Sequence, residues 1–123
     1  MEKLQIAQML YAQRVSKKKT QTQAGNVLGV TFQQFQKYEK GANGIPSTKL
    51  MKFCNHYKIN VSEFQNGDPY GVIESSDMHP AVKQKHLVNL TELETKINRE
   101  QKYDKDRSHK DMVGQSLNPR TYL

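Results

Sequence analysis

Residues 20–41 read TQTQAGNVLGVTFQQFQKYEKG, and this stretch decides the fold. Thr20 can accept a hydrogen bond from a free backbone N–H as an N-cap, and Gln23, three residues on, completes a capping-box pattern. Ala24, Val27 and Leu28 fall on the inward face of the helix so opened, and Gly29 supplies a residue that tolerates positive φ at its end. Val30 fills the turn. Thr31 is the next N-cap, with Gln34 at the third helical position, and the helix it opens runs through Lys40 on an apolar face of Phe35 and Tyr38 until Gly41 stops it. Two capped helices therefore meet across a short turn containing glycine.

Upstream, residues 3–16 space Leu4, Ala7 and Leu10/Tyr11 at helical intervals with Arg14 following on the same side, and Lys17-Lys18-Lys19 ends the pattern. Downstream, Asn43-Gly44-Ile45-Pro46 reads as a loop, and Ser47 is the expected cap of a fourth helix carrying Leu50, Phe53/Cys54 and Tyr57. A short fifth helix is expected to start near Ser62. Turn formers then crowd together in Gln65-Asn66-Gly67-Asp68-Pro69-Tyr70-Gly71, which reads as the start of a linker.

Charge divides the chain in the same place. The 123 residues carry 19 Lys/Arg and 12 Asp/Glu, a formal net charge of +7. Residues 1–64 hold ten of the bases but only three acids, Glu2, Glu39 and Glu63, so the whole excess lies there and the remainder is neutral. Polyanion binding is expected of the first half. A length of 123 residues fits a compact binding module better than a large buried core with a catalytic cleft, and with only 35% hydrophobic residues part of the chain is expected to be extended or weakly packed.

Other chemistries find little support. One cysteine, Cys54, excludes an intramolecular disulfide and reads as a small core residue. His56, His79, His86 and His109 lack metal-ligand spacing, so no metal is expected, and no cofactor motif is found. The basic half has too few acids for a hydrolytic site, and there is no phosphate loop and no histidine beside the cysteine that would make a nucleophile pair; no catalytic residue is assigned and no enzyme is expected. Uncharged stretches are too short to cross a bilayer, and the N-terminus lacks a signal-peptide pattern, so the expected location is cytoplasmic without membrane association.

Across its first half the chain resembles the helix-turn-helix domain of lambda-repressor-like, Cro-type regulators, the Xre family. The residues that carry the resemblance are Thr20-Gln21, Leu28-Gly29-Val30-Thr31, Phe35-x-x-Tyr38-Glu39-x-Gly41, Pro46-Ser47 and the Leu50-Phe53-Tyr57 helix. The resemblance implies an all-α, five-helix DNA-binding domain over residues 1–66; the residues beyond it read as a linker at 67–76, a C-terminal helix over 77–105 and a polar tail at 106–123 expected to be disordered in solution. It also implies that the third helix enters the DNA major groove, with base contacts from Phe32, Gln33, Gln34 and Lys37. The glutamines suit the N6/N7 edge of adenine, Lys37 can donate to guanine, and Phe32 can meet a thymine methyl.

Gln21 and Thr31, at helix N-termini, are the implied phosphate contacts, with Lys17, Lys18, Lys19, Lys40 and Asn43 as outer clamps. Arg14 and Glu39 are the implied structural ion pair. Two positions depart from the family pattern. Ala24-Gly25 replaces the usual Leu-Ala of the second helix, so its packing onto the third is expected to be closer or to be compensated by the large Phe35 and Tyr38, and Lys18-Lys19 replaces a glycine and an apolar residue before the second helix.

In the C-terminal half, Asp77 or a neighbour caps a helix with Pro80 in its first turn. Val82, Leu87, Leu90, Leu93 and Ile97, with Tyr103 beyond, form a stripe too narrow to make a core alone. The stripe can pack back on the first segment, pair with a second copy or take a different protein, such as an antagonist of the regulator. Self-association is the favoured reading, because a dimer presents two recognition helices one DNA turn, about 34 Å, apart. The sequence thus points to a dimeric repressor of phage, prophage or plasmid style on an inverted-repeat operator in double-stranded DNA. The alternative is a DNA-binding antitoxin or autoregulator whose C-terminal helix binds a partner.

Overall fold

The computed structural model describes the backbone of residues 3–113 and the side chains of residues 3–99. Among the described residues the chain is all-α: α1 Lys3–Ser16, α2 Gln21–Leu28, α3 Phe32–Glu39, α4 Ser47–Tyr57, α5 Val61–Asn66, α6 Pro69–Glu74 and α7 Pro80–Val113. It divides into two units, residues 1–93 and 94–123. The tail expected at 106–123 is helical as far as Val113, and its residues 114–123 lie outside the described residues.

Local chemistry sets the ends of the first elements as their sequence suggests. Thr20 accepts from the Gln23 N–H while the Gln23 side chain accepts from the Thr20 N–H, and Gly29 takes the left-handed conformation (φ 71°) that closes α2. Thr31 accepts from the Gln34 N–H to open α3. At α4 the expectation changes: Pro46, not Ser47, is the flanking residue, no side chain caps the helix, and Ser47 is its first helical residue. Asn60 and Glu63 form a reciprocal capping box on α5.

Two hydrophobic clusters share α1. The first gathers Met9, Leu10, Ala24, Leu28, Phe35, Leu50, Phe53, Cys54 and Phe64 from α1 to α5. Phe53 is its hub, stacked 6.1 Å from Phe35 and edge-on to Tyr57 at 4.9 Å and to Phe64 at 6.0 Å. Burial pushes the Cys54 thiol up, and a thiol held protonated in this way fits a core residue. The second cluster joins Ala12 and Val15 of α1 to Ile73, Met78 and Leu90.

This second cluster corrects two expectations. Residues 67–76, read as linker, contain α6: Asp68 caps it, Pro69 sits in its first turn, and Ile73 is fully buried against α1. Turn formers at the two ends of a six-residue helix disguise it as a loop. The C-terminal helix starts at Pro80, after His79, whose Nδ1 accepts from the Ala81 N–H at 3.0 Å. Part of the α7 stripe is also taken within the chain. Leu90 is fully buried in the second cluster, Leu87 packs against it, and the buried Gln8 side chain donates to the Leu90 carbonyl at 2.9 Å. Glutamine side chains thus pin α1 to its surroundings; Gln5 likewise donates to the Gly67 carbonyl at 2.7 Å.

Candidate nucleic-acid interface

The Arg14–Glu39 ion pair implied by the resemblance is present and holds three helices together. Arg14 Nε donates to Glu39 Oε2 at 2.6 Å and its Nη2 to Oε1 at 3.1 Å, a two-pronged pairing of guanidinium and carboxylate. Gln21 Nε2, from the first turn of α2, donates to Glu39 Oε1 at 3.0 Å. Arg14 Nη1 also reaches the Lys19 carbonyl at 2.8 Å, tying down the segment that joins α1 to α2. This brace fixes α2 and α3 against α1, and with them whatever α3 presents.

The seating of α2 on α3 is close because Gly25 has no side chain. A Cβ built there would lie 2.9 Å from the Val30 carbonyl oxygen and 3.3 Å from that of Thr31. The Val30 N–H returns to the Gly25 carbonyl at 2.9 Å, closing the turn between the helices. Of the two outcomes expected at Ala24-Gly25, the close approach is the one found at Gly25.

Helix α3 sorts its residues by face. Phe35, Tyr38 and Glu39 point inward and are buried, whereas Phe32, Gln33 and Lys37 are exposed and Gln34 is half-buried. Phe32 is 45% exposed, a large apolar ring at the start of a helix where a core role would have hidden it. Gln33 and Lys37 stand four residues apart on one face, and Gln34 and Lys37 three apart, so the four candidate base-contacting residues share the first turn and the turn that follows.

The candidate phosphate contacts are less uniform. Lys19, Thr31, Lys40 and Asn43 are exposed, with the Thr31 hydroxyl engaged at the Gln34 N–H. Lys17 Nζ donates to Gln13 Oε1 at 3.0 Å, and Lys18 Nζ lies 3.2 Å from Asp77. The Gln21 side chain is committed to Glu39, which leaves its backbone N–H as its open donor toward an anion. Lys49, which the sequence gives no reason to single out, donates to the Leu28 carbonyl at 3.1 Å and closes the C-terminal end of α2.

Of the candidate pairing residues, Val82 is 43% exposed, Leu87 and Leu93 are half-buried, Leu90 is fully buried, and Ile97, in the second unit, is buried. Among the described residues no helix is long and apolar enough to cross a membrane, and no three His, Cys, Asp or Glu side chains gather as a metal site would require.

No protein-family model and no solved structure matches the chain. Curated relatives do. An uncharacterised helix-turn-helix-type transcriptional regulator of Sinorhizobium fredii is 37% identical over 59 residues, 48% of this chain and 41% of that protein. A regulator of the same description from Rhizobium meliloti is 40% identical over 50 residues, 41% of this chain and 36% of that one. Another, from Rickettsia prowazekii, is 36% identical over 62 residues, half of this chain and 48% of that one. The similarity thus spans less than half the length of each of these relatives.

Proposed function

We propose that this chain is a sequence-specific DNA-binding transcriptional regulator whose α3 enters the major groove. The observation that carries the reading is the exposed face of α3, with Phe32, Gln33 and Lys37 free of any core role on a helix braced from behind by Arg14, Glu39 and Gln21. Phe32, Gln33, Gln34 and Lys37 contact base edges; Lys17, Lys18, Lys19, Lys40, Asn43 and the N-terminal N–H groups at Gln21 and Thr31 hold phosphates. The +7 charge concentrated in residues 1–64 supplies the sequence-independent attraction. The relatives named as helix-turn-helix-type transcriptional regulators support the same class.

Repression by occlusion of promoter DNA, with two chains on an inverted repeat, is the form this reading takes. Because Leu90 closes the second core, the pairing surface is not the whole apolar stripe of α7, and the dimer rests on the half-site geometry of such domains. Selection of bound duplexes from a random library, with the size of the complex on the winning sequence, tests both parts. An enriched inverted repeat carrying two chains is the expected result. Enrichment of a single half-site bound by one chain would remove the dimer, and binding without enrichment would remove the sequence-specific reading.

A further inference from the structure

A cleft of about 490 Å³ opens beside the segment that joins α1 to α2, on the side where residues 77–86 pass. Val15, Met78 and Val82 supply its apolar lining. Its lining cations are Lys18, Lys19 and Arg14, the last already paired with Glu39, and its single acid, Asp77, lies 3.2 Å from Lys18 Nζ. Two histidines complete the lining, His79 and His86, and both have Nδ1 engaged. His79 Nδ1 accepts from the Ala81 N–H, so its ring proton sits on Nε2. At His86 the donation that uses every proton runs from the Asn89 amide to the Tyr11 oxygen (2.8 Å) and from the Tyr11 hydroxyl to Nδ1 (2.6 Å), which again leaves the proton on Nε2. The cleft is thus rich in donors and poor in acceptors, with apolar lining residues and a volume in the range of small-molecule sites, about 300–1,000 Å³.

We propose that this cleft binds a small organic anion, a carboxylate or phosphate carried on a compact apolar body, with the anionic group at Lys18, Lys19 and the imidazole Nε2–H groups and the body on Val15, Met78 and Val82. Lys18 and Lys19 belong both to the cleft and to the residues assigned to the DNA backbone, so the bound anion competes with DNA phosphates and acts as an inducer. The regulatory half of this inference rests on the DNA-binding reading; the binding half does not.

The test uses the full chain without DNA and naphthalene-2-carboxylate as probe, with neutral naphthalene-2-carboxamide and inorganic phosphate as comparisons, by isothermal titration. The expected result is one site that favours the carboxylate over the amide and over phosphate by about fivefold or more. Asp77→Asn, which removes the only acid, tightens the carboxylate by up to about fivefold, and Val82→Asp, at an exposed position, weakens it by at least as much; circular dichroism checks that both variants keep their helices. Equal binding of carboxylate and amide, or indifference to Val82→Asp in a folded variant, would overturn the site. Affinity for a random-sequence duplex is then measured with and without the probe. Loss of DNA affinity on saturation is the expected result. Unchanged DNA affinity with the probe bound overturns the inducer role alone, whereas a chain that binds the probe and no DNA keeps the site and sinks the DNA-binding reading.

Discussion

Replacing Arg14 with methionine strips Glu39 of two of its three side-chain hydrogen bonds and leaves Gln21 Nε2 as the remaining donor. Glu39 is only 3% exposed, so water cannot replace what is lost. An ionised carboxylate left without its partner in such a position costs about 3–5 kcal/mol. A domain of this size has a total stability of about 5–15 kcal/mol, so Arg14→Met consumes a large share of it. Glu39→Leu costs less, because Arg14 is 11% exposed, lines an open cleft and can turn its charge to solvent. The double variant has no stranded charge and recovers most of the loss, giving a coupling of several kcal/mol between the two sites. Urea denaturation followed by circular dichroism, with all four chains at equal m-value, measures the cycle. A loss below about 1 kcal/mol for Arg14→Met, or a double variant as unstable as the sum of the singles, would refute the brace as the element that seats α3.

Three further outcomes are expected. Gly25→Ala loses about 1–2 kcal/mol in the same assay, because the new Cβ meets the Val30 carbonyl at 2.9 Å and this outweighs the better helix propensity of alanine; a neutral or stabilising result would mean that the turn yields freely. Lys58, which ends α4 at φ 59°, carries a side chain in a conformation that favours glycine, so Lys58→Gly raises stability by about 0.5–1 kcal/mol, and a loss would show a side-chain contribution that outweighs the backbone. Burial, with Arg14 and Lys85 nearby, holds His86 below its ordinary 6.5, so the unfolded chain binds the proton more readily. Stability from this group is therefore complete above about pH 6.5 and is lost as pH falls through the folded value; His86→Gln flattens that part of the profile, and an unchanged slope below pH 6.5 would contradict it.

Much of the first half is legible because its signals are local. Thr20, Gln23, Gly29 and Thr31 each satisfy or permit one backbone conformation within four residues, and the structure uses each for that purpose. The Arg14–Glu39 pair is not local, spanning 25 residues, and came from the resemblance rather than from spacing. What periodicity missed is the second face of α1. Ala12 and Val15 meet α6 and Leu90, whereas the neighbouring Gln8 and Gln13 are buried polar residues that blur any apolar stripe. A glutamine that donates to a carbonyl 82 residues away, as Gln8 does, looks in sequence like a solvated one. The same blindness hid α6, whose buried residues, Pro69 and Ile73, span a single turn among turn formers, and left packing on the first segment as one of three options for the α7 stripe when Leu90 has its place on α1.

The choice of Phe32, Gln33, Gln34 and Lys37 as the candidate reading face came from the resemblance; what helix geometry adds is that, with Phe35 and Tyr38 facing the core, Phe32, Gln33 and Lys37 are left exposed. Their cationic surroundings were legible as a count but not as individual roles, since Lys18 lies against Asp77 and Lys17 against Gln13.

The most direct test of the central claim compares Gln33→Ala, Gln34→Ala and Lys17→Ala on the selected duplex and on random DNA, across a range of salt. Each glutamine variant is expected to lose about 1–3 kcal/mol on the selected duplex while keeping its affinity for random DNA, and Lys17→Ala to weaken both alike and lower the salt slope. Equal losses on both duplexes for the glutamine variants would contradict a base-reading α3.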